Sequence, residues 1–304
     1  QYSSSHDQLD EYWIKRTTEN EKKYFKKKWR GYIGNSYLKD IKWGNKVFLK
    51  GPEITIMSQS NKKHDYNSPL VSSIVPCYNR KEMLKRTIKS LVNQTYINHQ
   101  IIFVDDGSIQ ILEPFLKDQL KAFKGNWKII RISYNSGPGI ARKVGMQNCN
   151  GKYIQFIDSD DEALPNKISE QLKTLERNKE LLMTYGTTLV GKKDEEMVIL
   201  GRTNKAKQKI APLFPYKVYW TTSSILWRKE YISEDSWLPL FGSEDLLFEF
   251  LNGLMDYPIA HTPSAEPILK KWVHPKNISN QIATDYLYQM EILKCFDIIY
   301  EKVK

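Results

Sequence analysis

The nine residues YIQFIDSDD, at positions 153–161, join an apolar run to a tetrad of acidic and hydroxyl side chains. The apolar half has the length and composition of a buried strand. Charged side chains are almost never buried unpaired, so packing does not explain the tetrad Asp158-Ser159-Asp160-Asp161. Hard divalent ions such as Mg²⁺ and Mn²⁺ bind between oxygen ligands and keep positions open for substrate phosphates. The stretch therefore predicts a buried strand that ends at a site for a metal and a phosphorylated ligand.

Strands and helices alternate on both sides of this stretch. Short apolar runs that predict strands are separated by segments in which apolar residues recur at helical spacing. The predicted strands are 71–75, 100–104, 127–133 and 153–157, and the predicted helices are 81–93, 111–123, 139–148 and 163–178. This order predicts an α/β fold, with a mostly parallel sheet flanked by helices on both faces.

The two ends of the chain differ from this central part. Residues 1–69 are polar and rich in Lys, Tyr and Trp, and they predict an N-terminal extension. The main domain is predicted over 70–275, and a C-terminal helical segment over 276–304. Within the main domain the pattern loosens after position 181, and the predicted elements there are strands at 181–190 and 222–227, a loop at 201–209 and a helix at 243–254.

Charge and cysteine content narrow the class of protein. The 304 residues include 46 Lys and Arg against 35 Asp and Glu, which gives a net charge of +11 and favours anionic partners. The three cysteines are widely spaced and form no metal-binding pair, which is typical of free thiols in a reducing compartment. No apolar stretch approaches the roughly 20 residues of a membrane span, and no secretory signal is recognisable. The expected location is cytoplasmic.

Polar or glycine-rich residues follow each of the four predicted strands. Ligands of such sheets bind at the carboxyl ends of the strands. The residues at these ends are 76–80, 105–108, 135–139 and the tetrad. The sequence therefore predicts one ligand site to which several strand ends contribute.

These strand-end motifs, in this order and spacing, resemble those of the family 2 glycosyltransferases. The resemblance rests on VPCYNR at 75–80, VDDGS at 104–108, GPGIAR at 137–142 and the tetrad, together with the pair Glu244-Asp245 and WVHP at 272–275. It covers roughly residues 70–280. It implies a GT-A fold, which is Rossmann-like, and an inverting enzyme that uses a nucleotide sugar.

The resemblance implies that the tetrad is a DxD motif that holds Mn²⁺ or Mg²⁺ on the donor diphosphate. Asp160 is expected to be the direct metal ligand, Asp158 a contact to the metal or the ribose, and His274 a further ligand. Asp161 would support either aspartate, and Ser159 belongs to the implied donor site. From the residues alone, the alternative is a strand-to-helix turn in which Asp160 or Asp161 caps a helix.

The implied nucleotide pocket lies at the other strand ends. Pro76 and Tyr78 are expected to line the base, and Asp106 to accept a hydrogen bond from the imide N–H of uracil. An acceptor at this point favours uracil or thymine over cytosine, whose N3 is itself an acceptor. Arg142 is expected near the diphosphate or the donor sugar. The alternatives are an Asx turn at 105–108 and a solvated helix charge at Arg142.

Asp245 is the implied catalytic base. Inversion by one in-line displacement needs a base within hydrogen-bond reach of the acceptor hydroxyl. The start of a helix stabilises an ionised carboxylate, and Glu244 would position the acceptor or a water. The alternative is that both residues merely favour the helix start.

The resulting hypothesis is an inverting hexosyl- or N-acetylhexosaminyl-transferase that moves a sugar from a UDP-sugar to a glycan, lipid-linked or peptide acceptor. The alternative is a catalytically silent GT-A domain that acts as a binding or scaffold module. The basic segment 21–30 predicts either peripheral contact with the inner face of a membrane or a solvated helix packed on the catalytic domain. Interleaved Lys and Trp also allow nucleic-acid binding, but no recognised nucleic-acid fold supports it.

Overall fold

The structure is a computed structural model, and it describes residues 52–62, 67–192, 195–200, 220–240 and 243–274, together with the backbone of three two-residue strands. The chain divides into two units, Gln1–Pro52 and Glu53–Lys304. In the first unit, strands β1 (Lys42–Trp43) and β2 (Lys46–Val47) form an antiparallel pair. The predicted segments 21–30 and 276–304 lie outside the described residues, as does most of the predicted loop 201–209.

Nine strands of the second unit form one mixed sheet. In spatial order they are β12 (Gln208–Lys209), β14 (Pro258–His261), β9 (Met183–Tyr185), β13 (Ile225–Arg228), β7 (Tyr153–Phe156), β4 (Val71–Cys77), β5 (His99–Asp106), β6 (Asn126–Ile132) and β3 (Ile54–Gln59). The four strands β7, β4, β5 and β6 are parallel, as the sequence predicts. The flanking strands β13 and β3 join this parallel centre in antiparallel orientation. The predicted α/β class is confirmed.

In the described part of the chain, five α-helices pack on the two faces of this sheet. They are α1 (Lys81–Val92), α2 (Glu113–Gln119), α3 (Pro138–Gln147), α4 (Lys167–Arg177) and α5 (Glu244–Gly253). Side chains of α1 and α2 share a buried cluster with Val75 and Phe103, whereas side chains of α3 and α5 share one with Ile74 and Val104. Successive strand residues point to opposite faces, so helices cover both sides of the sheet, as predicted. No helix in the described ranges is long and apolar enough to cross a membrane.

The main sheet begins before residue 70. Strand β3 pairs with β6 from Ile54 opposite Ile132 onward, so a part of the predicted N-terminal extension is an edge strand of the second unit. The isoleucines at 54 and 56 are each about half exposed, at 48% and 49%. Such a half-buried strand has a weak hydrophobic pattern, which explains why the sequence does not reveal it.

Two predicted elements differ in the region that follows the tetrad. Helix α4 begins at Lys167 rather than at 163, because Pro165 disfavours helical geometry at the preceding residue. The residues before it form β8 (Glu162–Ala163), in a second sheet with the order β11 (Val198–Ile199), β10 (Thr188–Gly191), β15 (Leu269–Trp272) and β8. The predicted strand 181–190 is divided between the two sheets, as β9 and β10. The tetrad therefore lies where the chain passes from the large sheet to the small one.

Candidate active site

The carboxyl ends of the three adjacent strands β7, β4 and β5 lie at one edge of the large sheet. Ile74 of β4 is in register with Phe156 of β7, and Cys77 of β4 with Asp105 of β5. The tetrad, the segment 76–80 and the segment 105–108 therefore leave the sheet side by side. This places the predicted strand-end motifs in one site.

Backbone and hydroxyl contacts fix the shape of the tetrad. The amide of Asp161 donates to the carbonyl of Asp158 at 3.0 Å, which closes a turn. The Asp158 amide donates to Ser223 Oγ at 3.0 Å, and Thr87 Oγ1 donates to the Asp161 carbonyl at 2.7 Å. Ser159, Asp160 and Asp161 are all buried, at 5%, 5% and 1% exposure. The tetrad is thus a fixed, buried turn and not a solvated loop.

Arg142 joins the tetrad to helix α5. Its guanidinium donates to Asp158 Oδ1 at 2.7 Å and to Glu244 Oε1 at 2.6 Å, and it lies over the ring of Trp237 at 5.1 Å. Arg142 is 4% exposed, so the alternative of a solvated helix charge is wrong. One buried cation therefore holds together two acidic motifs that are 86 residues apart in the chain, from 158 to 244.

Burial and the charges around Arg142 shift the pKa values of the neighbouring carboxyl groups. Burial by itself would raise the pKa of Asp158, but the positive charges of Arg142 and Lys271 outweigh burial and hold that pKa below its ordinary value. Burial and the neighbouring charge of Asp245 raise the pKa of Glu244 to about 7, although Arg142 opposes this rise. Burial likewise raises the pKa of Asp161 to about 7. The site holds several carboxyl groups in different protonation states at neutral pH.

Asp160 lies between an arginine and a histidine side chain. Arg80 donates to its Oδ2 at 2.6 Å, and His274 Nε2 lies 2.9 Å from the same oxygen. His274 comes from the end of β15, 114 residues along the chain. The structure therefore brings together two of the three residues that the sequence predicts as metal ligands.

The donor set of Asp160 and His274 fits a two-ligand metal site. The separation of 2.9 Å between their facing oxygen and nitrogen is about that of adjacent ligands of an octahedral ion with bonds near 2.1 Å. Mg²⁺ is commonly held by one or two protein ligands and by substrate phosphates. Asp158, the other predicted ligand, is paired with Arg142, and in the described part of the chain no three His, Cys, Asp or Glu side chains form a complete metal site.

Asp245 lies in the first turn of α5, beside the Arg142 group. Thr222 Oγ1 donates to its Oδ2 at 2.6 Å, and the amide of Leu246 donates to its Oδ1 at 2.8 Å. Asp245 is half-buried, whereas Glu244 is 6% exposed and is bonded to Arg142. Of the two predicted catalytic residues, Asp245 is therefore the more accessible one, and Glu244 is part of the buried framework.

Asp106, Tyr78 and Pro76 form the pocket that is predicted for the nucleotide base. Asp106 accepts hydrogen bonds from the amides of Ser136 and Gly137, at 2.8 and 2.9 Å, one on each carboxylate oxygen. Burial raises the pKa of Asp106 to about 7. Each oxygen has a second lone pair, so these bonds leave Asp106 able to accept from a ligand. Tyr78 is 40% exposed at the same edge of the sheet, and Pro76 is part of β4.

Several residues of the site were not predicted from the sequence. Arg80 ends the motif at 75–80, but no role was predicted for it. Lys271 and Thr222 lie in stretches where a core or surface position is equally plausible. The only sequence signal for Lys271 is the alternation of side chains along the strand, which places Lys271 and Lys270 on opposite faces.

The chain matches the family described as "Glycosyl transferase family 2" over residues 72–232. The chain belongs to glycosyltransferase family 2. An uncharacterized glycosyltransferase of Rickettsia typhi is 31% identical over 245 residues, which cover 76% of this chain and 72% of that protein. An uncharacterized glycosyltransferase of Haemophilus influenzae is 36% identical over 124 residues, and the match spans 47% of its length.

The solved structures of S. aureus TarS support the fold. S. aureus TarS residues 1–349 in complex with UDP-GlcNAc match with a TM-score of 0.59 at 16% identity, covering 74% of this chain and 65% of TarS 1–349. The complex of the same protein with UDP matches with a TM-score of 0.52 at 20% identity, with the same coverage. The predicted GT-A fold is confirmed.

Proposed function

We propose that the protein is an inverting glycosyltransferase that moves a sugar from a UDP-sugar to an acceptor hydroxyl. The observation that carries the proposal is the double ion pair of Arg142, at 2.7 Å to Asp158 and 2.6 Å to Glu244. It places the acidic turn suited to a donor diphosphate next to Asp245, the candidate base. Donor binding and acceptor activation are then functions of one site.

The donor would lie along the strand ends. The uracil base is assigned to the side of Tyr78, Pro76 and Asp106, and the diphosphate to the side of the tetrad. The TarS complexes with UDP and UDP-GlcNAc support a uridine nucleotide as ligand of this fold. Asp160 and His274 would hold a divalent ion, Mn²⁺ or Mg²⁺. When bound, such an ion neutralises charge that develops on the leaving diphosphate.

Transfer would occur in one displacement. The acceptor oxygen forms a bond to the anomeric carbon while the bond from that carbon to the diphosphate oxygen breaks, and its electron pair leaves with UDP. The proton of the acceptor hydroxyl passes to Asp245 Oδ2 or Oδ1. Thr222 orients this carboxylate through its bond of 2.6 Å, and a general base of this kind contributes about 10²- to 10⁴-fold in rate.

The acceptor class stays open among glycans, lipid-linked glycans and peptides. A Bacillus subtilis relative, 31% identical over 105 residues, carries the name "Putative teichuronic acid biosynthesis glycosyltransferase TuaG", and this favours a glycan acceptor. We place the reaction in the cytoplasm, where the free thiols of Cys77 and Cys149 are expected. Contact of residues 21–30 with the membrane would bring the enzyme to a lipid-linked acceptor.

The proposal is tested by calorimetric titration with UDP, with and without Mn²⁺, followed by a panel of UDP-sugars scored by UDP release. We expect UDP binding that Mn²⁺ strengthens, and UDP release from one or a few of the sugars. Binding of UDP without turnover of any sugar and acceptor would favour the silent binding module. If the protein neither binds UDP nor turns over any UDP-sugar, a UDP-sugar transferase would be excluded.

A further inference from the structure

Lys271 of β15 faces the acidic turn. The antiparallel register of β15 and β8 pairs Leu269 with Ala163 and Lys270 with Glu162. Extending this register by one residue beyond the paired positions brings Lys271 opposite Asp161, the last residue of the tetrad. The charge of Asp161, and then those of Asp158, Asp160 and Asp245, raise the pKa of Lys271. One ammonium group therefore lies within electrostatic range of both the tetrad and the candidate base.

Two other cations of the site are already paired with carboxylates. Arg80 contacts Asp160 at 2.6 Å, and Arg142 contacts both Asp158 and Glu244. Lys271 is half-buried, and within the described ranges no carboxylate oxygen lies within 4.0 Å of its Nζ. The tetrad balances this charge at longer range, but within the described ranges the three N–H donors of Lys271 bond to no carboxylate and remain available to an anionic ligand.

We propose that Lys271 is a donor-binding residue that contacts the diphosphate of the sugar nucleotide. This inference rests on the proposed function and adds a residue that none of the strand-end motifs contains. A lysine ammonium binds phosphate as a compact point charge with three donors. When the bond from the anomeric carbon to the diphosphate oxygen breaks, the electron pair stays on UDP. Lys271 stabilises that charge while keeping its own protons.

The test compares Lys271→Met with Lys270→Met. The two residues are neighbours on β15, and alternation along the strand directs their side chains to opposite faces, so the control removes the same charge one position away. Binding of UDP and of uridine, which lacks the diphosphate, is measured by calorimetry at fixed ionic strength and Mn²⁺ concentration. Unfolding temperatures of both variants confirm that they are folded, and Lys271→Arg serves as the conservative variant.

We expect Lys271→Met to weaken UDP binding about tenfold or more, as the loss of a charge-assisted hydrogen bond implies, and to leave uridine binding unchanged. Lys270→Met should change UDP affinity by less than about threefold, the scale of a surface charge. Lys271→Arg should restore a part of the loss. Unchanged UDP affinity in Lys271→Met, or an equal loss of UDP and uridine binding, would overturn the inference while the proposed function stands. Failure of the wild-type protein to bind UDP would overturn both.

Discussion

Replacement of Arg142 by Met tests the buried ion-pair group of the site. Arg142 and Glu244 are 5% and 8% exposed at their side chains, and Asp158 is 28% exposed. Removing one member of a buried ion pair costs about 3–5 kcal/mol, because the remaining charge stays buried without a partner. We expect Arg142→Met to lower the free energy of unfolding by about 3 kcal/mol or more, which corresponds to a fall in Tm of about 6 °C or more.

The adjacent residue provides a matched control. Lys143 pairs with Asp235 at 2.7 Å, but Asp235 is 81% exposed, so this pair is screened by solvent. Lys143→Met should lower the free energy of unfolding by less than about 1 kcal/mol. Both variants are compared with the wild type by urea unfolding followed by circular dichroism. An equal loss of stability in the two variants would refute the role of Arg142 as the central cation.

The loss of stability in Arg142→Met should depend on pH. The native pKa of Asp158 is below its ordinary value, so its pairing stabilises the fold above the unfolded pKa of about 3.9 and is lost as pH falls through the native pKa. The pKa of Glu244 is about 7, so its contribution is complete below the unfolded pKa of about 4.3 and is lost as pH rises through 7. Without Arg142 both native pKa values rise. The gap between wild type and variant should therefore widen from pH 5 to pH 8, and a gap that narrows would contradict the assignment.

Two further substitutions test the two ends of the proposed donor site. Asp160→Ala removes the carboxylate that Arg80 and His274 share. We expect calorimetry to show that Mn²⁺ no longer strengthens UDP binding by this variant. An unchanged effect of Mn²⁺ would exclude Asp160 as a metal ligand. Asp106 has a native pKa of about 7, above its unfolded value, so its contribution to stability is complete below about pH 4 and is lost as pH rises through 7. Asp106→Asn should remove this component from urea unfolding measured between pH 5 and 8, and an unaltered pH dependence would show that Asp106 is not its source.

The parallel centre of the fold could be predicted because its strands contain short apolar runs that alternate along the chain with segments of helical periodicity. Strands β4, β5 and β7 are buried on both faces and are followed by motifs with recognisable chemistry. The edge strand β3 could not be predicted, since only one of its sides is paired and its isoleucines are half exposed. The division of 181–190 between two sheets depends on contacts with Ile225 and Leu269, which are distant in sequence.

Which residues belong to the site was easier to predict than which residues bond to each other within it. The strand-end motifs point to Arg142, Asp158 and Asp160, because the carboxyl ends of parallel strands meet at one edge. That Arg142 bonds to Glu244, 102 positions later, depends on how α5 packs against α3. The pairing of Asp160 with His274 and the position of Lys271 depend on the register of the second sheet, which local sequence patterns do not encode.

The most direct test of the proposed chemistry is UDP release from UDP-sugars by the wild type and by Asp245→Asn, measured side by side. The substitution keeps the size of the side chain and an oxygen that can accept from Thr222, but it removes the basic carboxylate. We expect the wild type to release UDP with at least one UDP-sugar and acceptor, and the variant to bind UDP normally while its rate falls about 100-fold or more. Transfer by Asp245→Asn at the wild-type rate would contradict Asp245 as the base, and a wild type that neither binds UDP nor turns over any sugar would contradict the proposed function.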